Sequence, residues 1–173
     1  MGHGAVPREV REAFRGRRFR VELEAWPEGT HEIARSPAAA GLVALRPDGR
    51  VLLVRHHRPA IRGELLEVPA GLVDEGEDPA ACAARELFEE TGYRPAGPLL
   101  PLGRFYSSAG MTDERFSLFL GEAEAAPVGE PEEEVLEVVA VPFGEAVAEA
   151  RAGRLADAKT ALAILLAAAR RGA

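Results

Sequence analysis

The chain has 173 residues, 47% of them apolar, which suits one globular domain and excludes wholesale disorder. Its formal charge of −7 excludes the basic stripe that a general nucleic-acid binder needs, so an anionic substrate would have to arrive with cations. The single cysteine, Cys82, excludes an internal disulfide, argues against a thiolate zinc site and fits a reducing compartment.

Residues 1–6 carry no apolar signal core, and Val6 stands where a myristoylation signal wants Ser or Thr. The longest apolar run, 161–169, falls far short of the ~20 residues that span a bilayer. The expectation is a soluble cytoplasmic protein that engages neither nucleic acid nor membrane.

Residues 17–26 alternate strictly, with Phe19, Val21 and Leu23 on one side and Arg18, Arg20, Glu22 and Glu24 on the other, which predicts a half-buried strand. A turn at 27–29 returns the chain through 31–35 as a hairpin, and Pro37 closes this N-terminal unit. A second hairpin joins 40–46 to 50–56 across Pro47-Asp48-Gly49, and its apolar strands predict a central position. Further strands are expected at 64–71, 99–107, 115–123 and 135–141, and helices at about 79–91, 143–152 and 157–171. Strands and helices mix without regular βαβ alternation, which predicts an α+β fold or a mixed sheet between helices. The acidic, proline-bearing stretch 122–134 is a surface loop by composition.

The helix at 79–91 carries the chemistry. Asp78 before Pro79 is a start signal and Gly92 a stop. At ~100° per residue, Glu86, Glu89 and Glu90 share one face while Ala80, Ala84, Leu87 and Phe88 lie on the other. Glu86 and Glu90 repel at i,i+4, neither has Lys or Arg at an i±4 position within the helix, and acidic residues at a helix C-terminus oppose the macrodipole. A solvated acidic face would carry these costs without return, so a cation site is the better reading. Three carboxylates on one helix face, with a single cysteine in the whole chain, suit a hard ion, Mg2+ or Mn2+, rather than zinc.

Residues 71–93, GLVDEGEDPAACAARELFEETGY, resemble the Nudix box, G-x5-E-x7-R-E-U-x-E-E-x-G-U with U a bulky apolar residue. Gly71, Glu77, Arg85, Glu86, Leu87, Glu89, Glu90 and Gly92 all fall in place, and Tyr93 departs mildly from the aliphatic last position. With each of the fixed residues at roughly 10% usage or less, a chance match at one start is ~10⁻⁷ or rarer. The resemblance implies a Nudix fold, a mixed sheet sandwiched between helices. It also implies hydrolysis of a nucleoside diphosphate linked to another moiety. It implies Glu86 and Glu90 as principal metal ligands, Glu89 assisting directly or through water, and the carbonyl of Ala70 completing the shell. Arg85 would orient Glu89, and Glu77 would orient Arg85.

Outside the box the chain resembles the ADP-ribose pyrophosphatase branch of that family. The hairpin 17–35 is similar to a small domain exchanged across a homodimer, which implies a dimerisation unit at 1–37 and a hydrolase domain at 38–173. Arg58, in VRHHRPA, matches a phosphate-contacting arginine, and a guanidinium suits that task. His56 and His57 beside it read as strand-end residues. LEVPAG, 66–71, resembles the branch's entry to the box, with Glu67 as a hydrogen-bonding support. YSSAGMTDE, 106–114, resembles the loop bordering the ribose and diphosphate, with Ala109 replacing the proline that marks ADP-ribose preference. Substrate contacts are thereby implied for Glu32, Arg58, Gly110, Met111 and Glu114. The run Glu132-Glu133-Glu134 matches a loop that supplies a general base or extra ligand, with Glu132 assigned to proton abstraction and Glu134 to the metal or its support. Asp157 reads as an N-cap, and Lys159 as structural or near the site.

The expected activity is Mg2+- or Mn2+-dependent cleavage of ADP-ribose to AMP and ribose 5-phosphate. The alternatives are a nucleotide-sugar diphosphatase acting on GDP-mannose or ADP-glucose, and a non-catalytic ADP-ribose-sensing module.

Overall fold

The hairpin read at 40–56 forms the centre of the sheet. In the computed structural model, which describes residues 6–172, β4 (Ala39–Leu45) is buried throughout and turns at 46–49 into β5 (Arg50–Arg58). The readings made on residues 1–5 lie outside the described residues. β4 also pairs parallel with β9 (Arg115–Glu122) and antiparallel with the short β7 (Ala70–Leu72). The sheet runs β10 (Val135–Pro142), β5, β4, β9, β8 (Leu100–Tyr106), with β6 (Gly63–Glu67) added on β5. One parallel pair among antiparallel neighbours makes it mixed, as expected.

The single strand expected at 64–71 is two strands, β6 and β7. Pro69 has no N–H to give a ladder, and the N–H of Val68 goes instead to Thr160 Oγ1 at 2.9 Å. That break turns the chain from β5 to β4 and brings Ala70 and Gly71 alongside the acidic helix.

Three helices cover the sheet: α1 (Pro79–Thr91), α2 (Phe143–Arg151) and α3 (Ala158–Arg171). Strand alternation distributes the apolar side chains between two cores. Ala40, Leu42 and Ala44 of β4 pack with Cys82, Ala83 and Leu87 of α1. Val43 and Leu45 pack with Val147 of α2 and Ile164 of α3. The architecture is therefore the expected α/β/α sandwich.

Local capping sets the ends of α1. The Asp78 carboxylate accepts the N–H of Ala80 at 2.8 Å, and Gly92 closes the helix at φ 73° with its N–H on the carbonyl of Phe88. A side chain at Gly92 would be strained at that φ and would overlap the carbonyl of Gly129.

The N-terminal unit is a three-stranded antiparallel sheet, β1 (Glu9–Arg15), β2 (Arg20–Trp26) and β3 (Gly29–Arg35), rather than a two-stranded hairpin. β1 is exposed along its whole length, so it carries no burial periodicity to read. The side of β2 expected to face water instead holds its most buried residue, Glu24, which accepts the Trp26 indole N–H at 2.8 Å and pairs with Arg35. Arg35 extends the network to Glu22 at 2.7 Å and to Asp113 at 3.2 Å. Polar contacts thus join this sheet to the 107–114 loop, including the Ala34 N–H on the carbonyl of Met111 at 2.8 Å. Among the described residues no helix is long and apolar enough to cross a membrane.

Candidate active site

The end of α1 and the β7 turn meet at Gly71. A Cβ on this residue would overlap the Glu86 carboxylate, so only glycine lets that carboxylate lie against the backbone. Arg85 fans across the same corner. Its Nη1 reaches Glu86 Oε1 at 2.6 Å and Glu89 Oε2 at 2.7 Å, while Nε and Nη2 grip Glu77 with two bonds of 3.0 Å. Arg85 also donates to the carbonyl of Leu72 at 3.1 Å, tying helix to turn. The hydrogen bonds from Arg85, helped by the N–H of Asp74, pull the Glu77 carboxyl down to about 2.

Glu86 therefore has a cationic partner at i−1, which the i±4 rule does not anticipate. Even so its carboxyl is pushed up to about 7, first by burial and then by the charges of Glu90 and Glu89, with Arg85 opposing. The oxygen-only donors beside the glycine cradle fit a hard divalent cation.

Glu90 is nearly buried, and both its oxygens are engaged: Oε1 with His56 Nε2 at 2.9 Å and Oε2 with the N–H of Ala70 at 3.0 Å. Arg85 thus holds Glu86 and Glu89 while His56 and Ala70 hold Glu90, and among the described residues no three Cys, His, Asp or Glu side chains converge as a cage for an ion.

These groups open into a cleft of about 420 Å³ lined by Ala70, Gly71, Glu86, Glu90, Arg58, Glu114, Glu132 and Glu134, among others. The acidic loop reaches it by docking on the end of α1: the N–H of Glu132 bonds to the carbonyl of Glu89 at 2.8 Å, and those of Val128 and Gly129 bond to the carbonyl of Gly92 at 2.8 and 3.2 Å. Orphan helix carbonyls thus hold a segment that composition alone reads as solvated.

Arg58 lies in the cleft with two of its three guanidinium nitrogens on Glu67, at 2.6 and 2.9 Å. Glu67 is fully buried and also pairs with Lys159, whose Nζ bonds Asp157 at 2.9 Å. Burial alone would raise the Glu67 carboxyl, but the hydrogen bonds and charges of Arg58 and Lys159 outweigh it and hold the group below its ordinary value.

Glu89, Glu77 and Arg85 are outside the cleft lining and touch it through the Arg85–Glu86 bond. Glu32, Gly110 and Met111 do not line it. Glu32 is exposed on β3, Met111 is exposed in the loop, and Ala109 lines a neighbouring cavity of about 330 Å³ with Trp26, Ile33 and Tyr106. Sequence reasoning missed His56 and Arg18, both in the cleft lining, and left Lys159 open. His56 is a correction: it is no plain strand end but buried against Glu90. The signal was available, because period-2 register puts it on the same strand face as Leu52, which packs on α1.

The site is thus an acidic helix end set against a glycine turn, inside an α/β/α sandwich. The sequence profile of the NUDIX domain matches residues 35–162, and the chain belongs to that family. It is 36% identical over 148 residues to an ADP-ribose pyrophosphatase of Bacillus subtilis, covering 83% of this chain and 79% of that protein. It is 37% identical over 138 residues to a GDP-mannose pyrophosphatase of Cronobacter sakazakii, covering 74% and 71% respectively. The fold is shared with a solved ADP compounds hydrolase at a TM-score of 0.77 and 22% identity, covering 94% of this chain and 91% of the other.

Proposed function

We propose that this Nudix hydrolase cleaves the diphosphate of ADP-ribose to AMP and ribose 5-phosphate with Mg2+ or Mn2+. The observation that carries the reading is the single cleft in which Glu86 and Glu90 share a wall with Arg58, Glu114, Glu132 and Glu134. Similarity to the Bacillus subtilis enzyme supports the substrate.

In this reading Glu86, Glu90 and the carbonyl of Ala70 hold the ion, with Glu89 assisting directly or through water. When bound there, such an ion would supply charge neutralisation for the diphosphate and a lowered pKa for the attacking water. Glu132 takes the proton as the water oxygen joins one phosphorus and the bridging P–O bond breaks, and Glu134 supports it. Arg58, oriented by Glu67, binds a phosphate oxygen. Glu114 contacts the rest of the substrate inside the cleft, Glu32, Gly110 and Met111 are proposed as contacts beyond its lining, and Arg85, held by Glu77, positions Glu89.

A panel of nucleoside diphosphate derivatives with Mg2+ and with Mn2+, products identified by mass, is expected to give the highest kcat/KM for ADP-ribose. Negligible ADP-ribose turnover beside rapid GDP-mannose cleavage would establish the second reading, a nucleotide-sugar diphosphatase. Alanine at position 109 favours that second reading, since it leaves the loop freer than proline would, as does similarity to the GDP-mannose pyrophosphatase. A non-catalytic sensing module is disfavoured by the complete set Glu86, Glu89 and Glu90.

Residues 1–37 are proposed as the dimerisation unit and 38–173 as the hydrolase domain. Exposure of Val10, Phe14 and Phe19 on and beside β1 supports a homodimer through this sheet. Sedimentation at micromolar concentration is expected to give a dimer that Phe14→Glu dissociates, and a monomeric wild type would refute the assignment.

A further inference from the structure

We infer that His56 is the positioning residue for Glu90. The inference rests on the reading of Glu90 as a metal ligand and adds a residue that the sequence motif does not contain. Glu90 lies one residue before the end of α1, on a side chain with three rotatable bonds, yet both oxygens have fixed partners. The Ala70 N–H anchors Oε2 to the β7 turn, and His56 Nε2 anchors Oε1 to β5.

An ionised carboxylate only accepts, so the imidazole donates to Glu90 from Nε2. Each carboxylate oxygen keeps a second lone pair for the cleft. The imidazole is an apt clamp here, because its buried ring directs one N–H at Glu90, whereas Arg85 spreads its donors over Glu77, Glu86 and Glu89. A lysine or arginine at position 56 would compete with a divalent cation for the carboxylate.

His56 is itself immobilised. Its backbone is opposite Val135 of β10 and Leu65 of β6, so the strand is paired on both sides, and its side chain is buried. Val135 follows Glu134 directly and its N–H bonds the carbonyl of Glu132 at 3.1 Å. The ring therefore sits where α1, the β7 turn and the acidic loop are brought into register.

The test compares wild type with His56→Gln, which keeps a donor, His56→Met, which keeps bulk without one, and Glu90→Gln. Mn2+ affinity of the substrate-free protein is read by electron paramagnetic resonance, with kcat and KM measured beside it. His56→Met is expected to weaken Mn2+ binding about 10- to 100-fold and to lower kcat, with His56→Gln recovering most of both. Mn2+ binding by His56→Met within about threefold of wild type, beside a large loss in Glu90→Gln, would overturn the inference alone. So would a His56→Gln variant that is as weak as His56→Met or that fails to fold. Wild-type Mn2+ affinity in Glu90→Gln would overturn the metal reading of Glu90 and this inference with it.

Discussion

Replacing Glu86 by Gln is expected to lower hydrolysis by about 10³-fold, or ~4 kcal/mol of transition-state stabilisation, because a ligand to the proposed cation is lost. The same change is expected to stabilise the metal-free protein at neutral and alkaline pH. Burial and the neighbouring carboxylates push the folded-state Glu86 carboxyl up to about 7. A raised carboxyl contributes stability that is fully present below its ordinary value near 4.5 and lost as pH rises through about 7. Metal-free wild type should therefore lose on the order of 2–3 kcal/mol from this group across that window. The neutral Gln side chain should lose none. Thermal denaturation in chelator from pH 4 to 8 reads the difference, and added Mg2+ should restore Tm to wild type at pH 8 but not to the variant. Hydrolysis by Glu86→Gln within tenfold of wild type would remove Glu86 from the metal assignment.

The largest expected loss of stability comes from Glu67→Ala. Glu67 is 1% exposed and is the anion for two cations, Arg58 and Lys159. Deleting it leaves Lys159 with Asp157 alone and frees Arg58, and breaking a buried pair from one side costs about 3–5 kcal/mol. For a chain of this size that corresponds to a fall in Tm of roughly 10 °C. A double variant, Glu67→Leu with Lys159→Met, replaces the charges by apolar volume and is expected to recover much of the loss. Both should raise KM for the diphosphate substrate, because Arg58 loses the carboxylate that orients it. A Tm change of only about 2 °C in Glu67→Ala would show that the pair is not a stabilising element.

These two residues were legible to different degrees. Glu86 stands in a spaced motif and on a helix whose caps, Asp78 and Gly92, are local signals; its chemistry could be read without knowing what surrounds it. Glu67 could be seen as a support, but not as the anion shared by a residue 9 positions away and another 92 positions away. His56 was passed over because its partner lies 34 positions further on. Glu24 was assigned to the wet side of β2 because alternation shows which residues share a face, while the Trp26–Arg35–Asp113 network decides which face is covered.

By itself the sequence determined most of the elements, β1 and the break between β6 and β7 excepted, and the reaction class, since hydrogen-bond caps, period-2 and period-3.6 patterning and the glutamate spacing all act within a few residues. It determined the bounds of α1 and the need for glycine at the end of that helix. Only the tertiary structure decided how the charges are apportioned: Arg85 to Glu86 and Glu89, His56 to Glu90, Arg58 and Lys159 to Glu67, and the acidic loop to the carbonyls at the end of α1. Burial sets the strength of each pairing and chain topology sets its partner, and neither is a property of neighbouring residues.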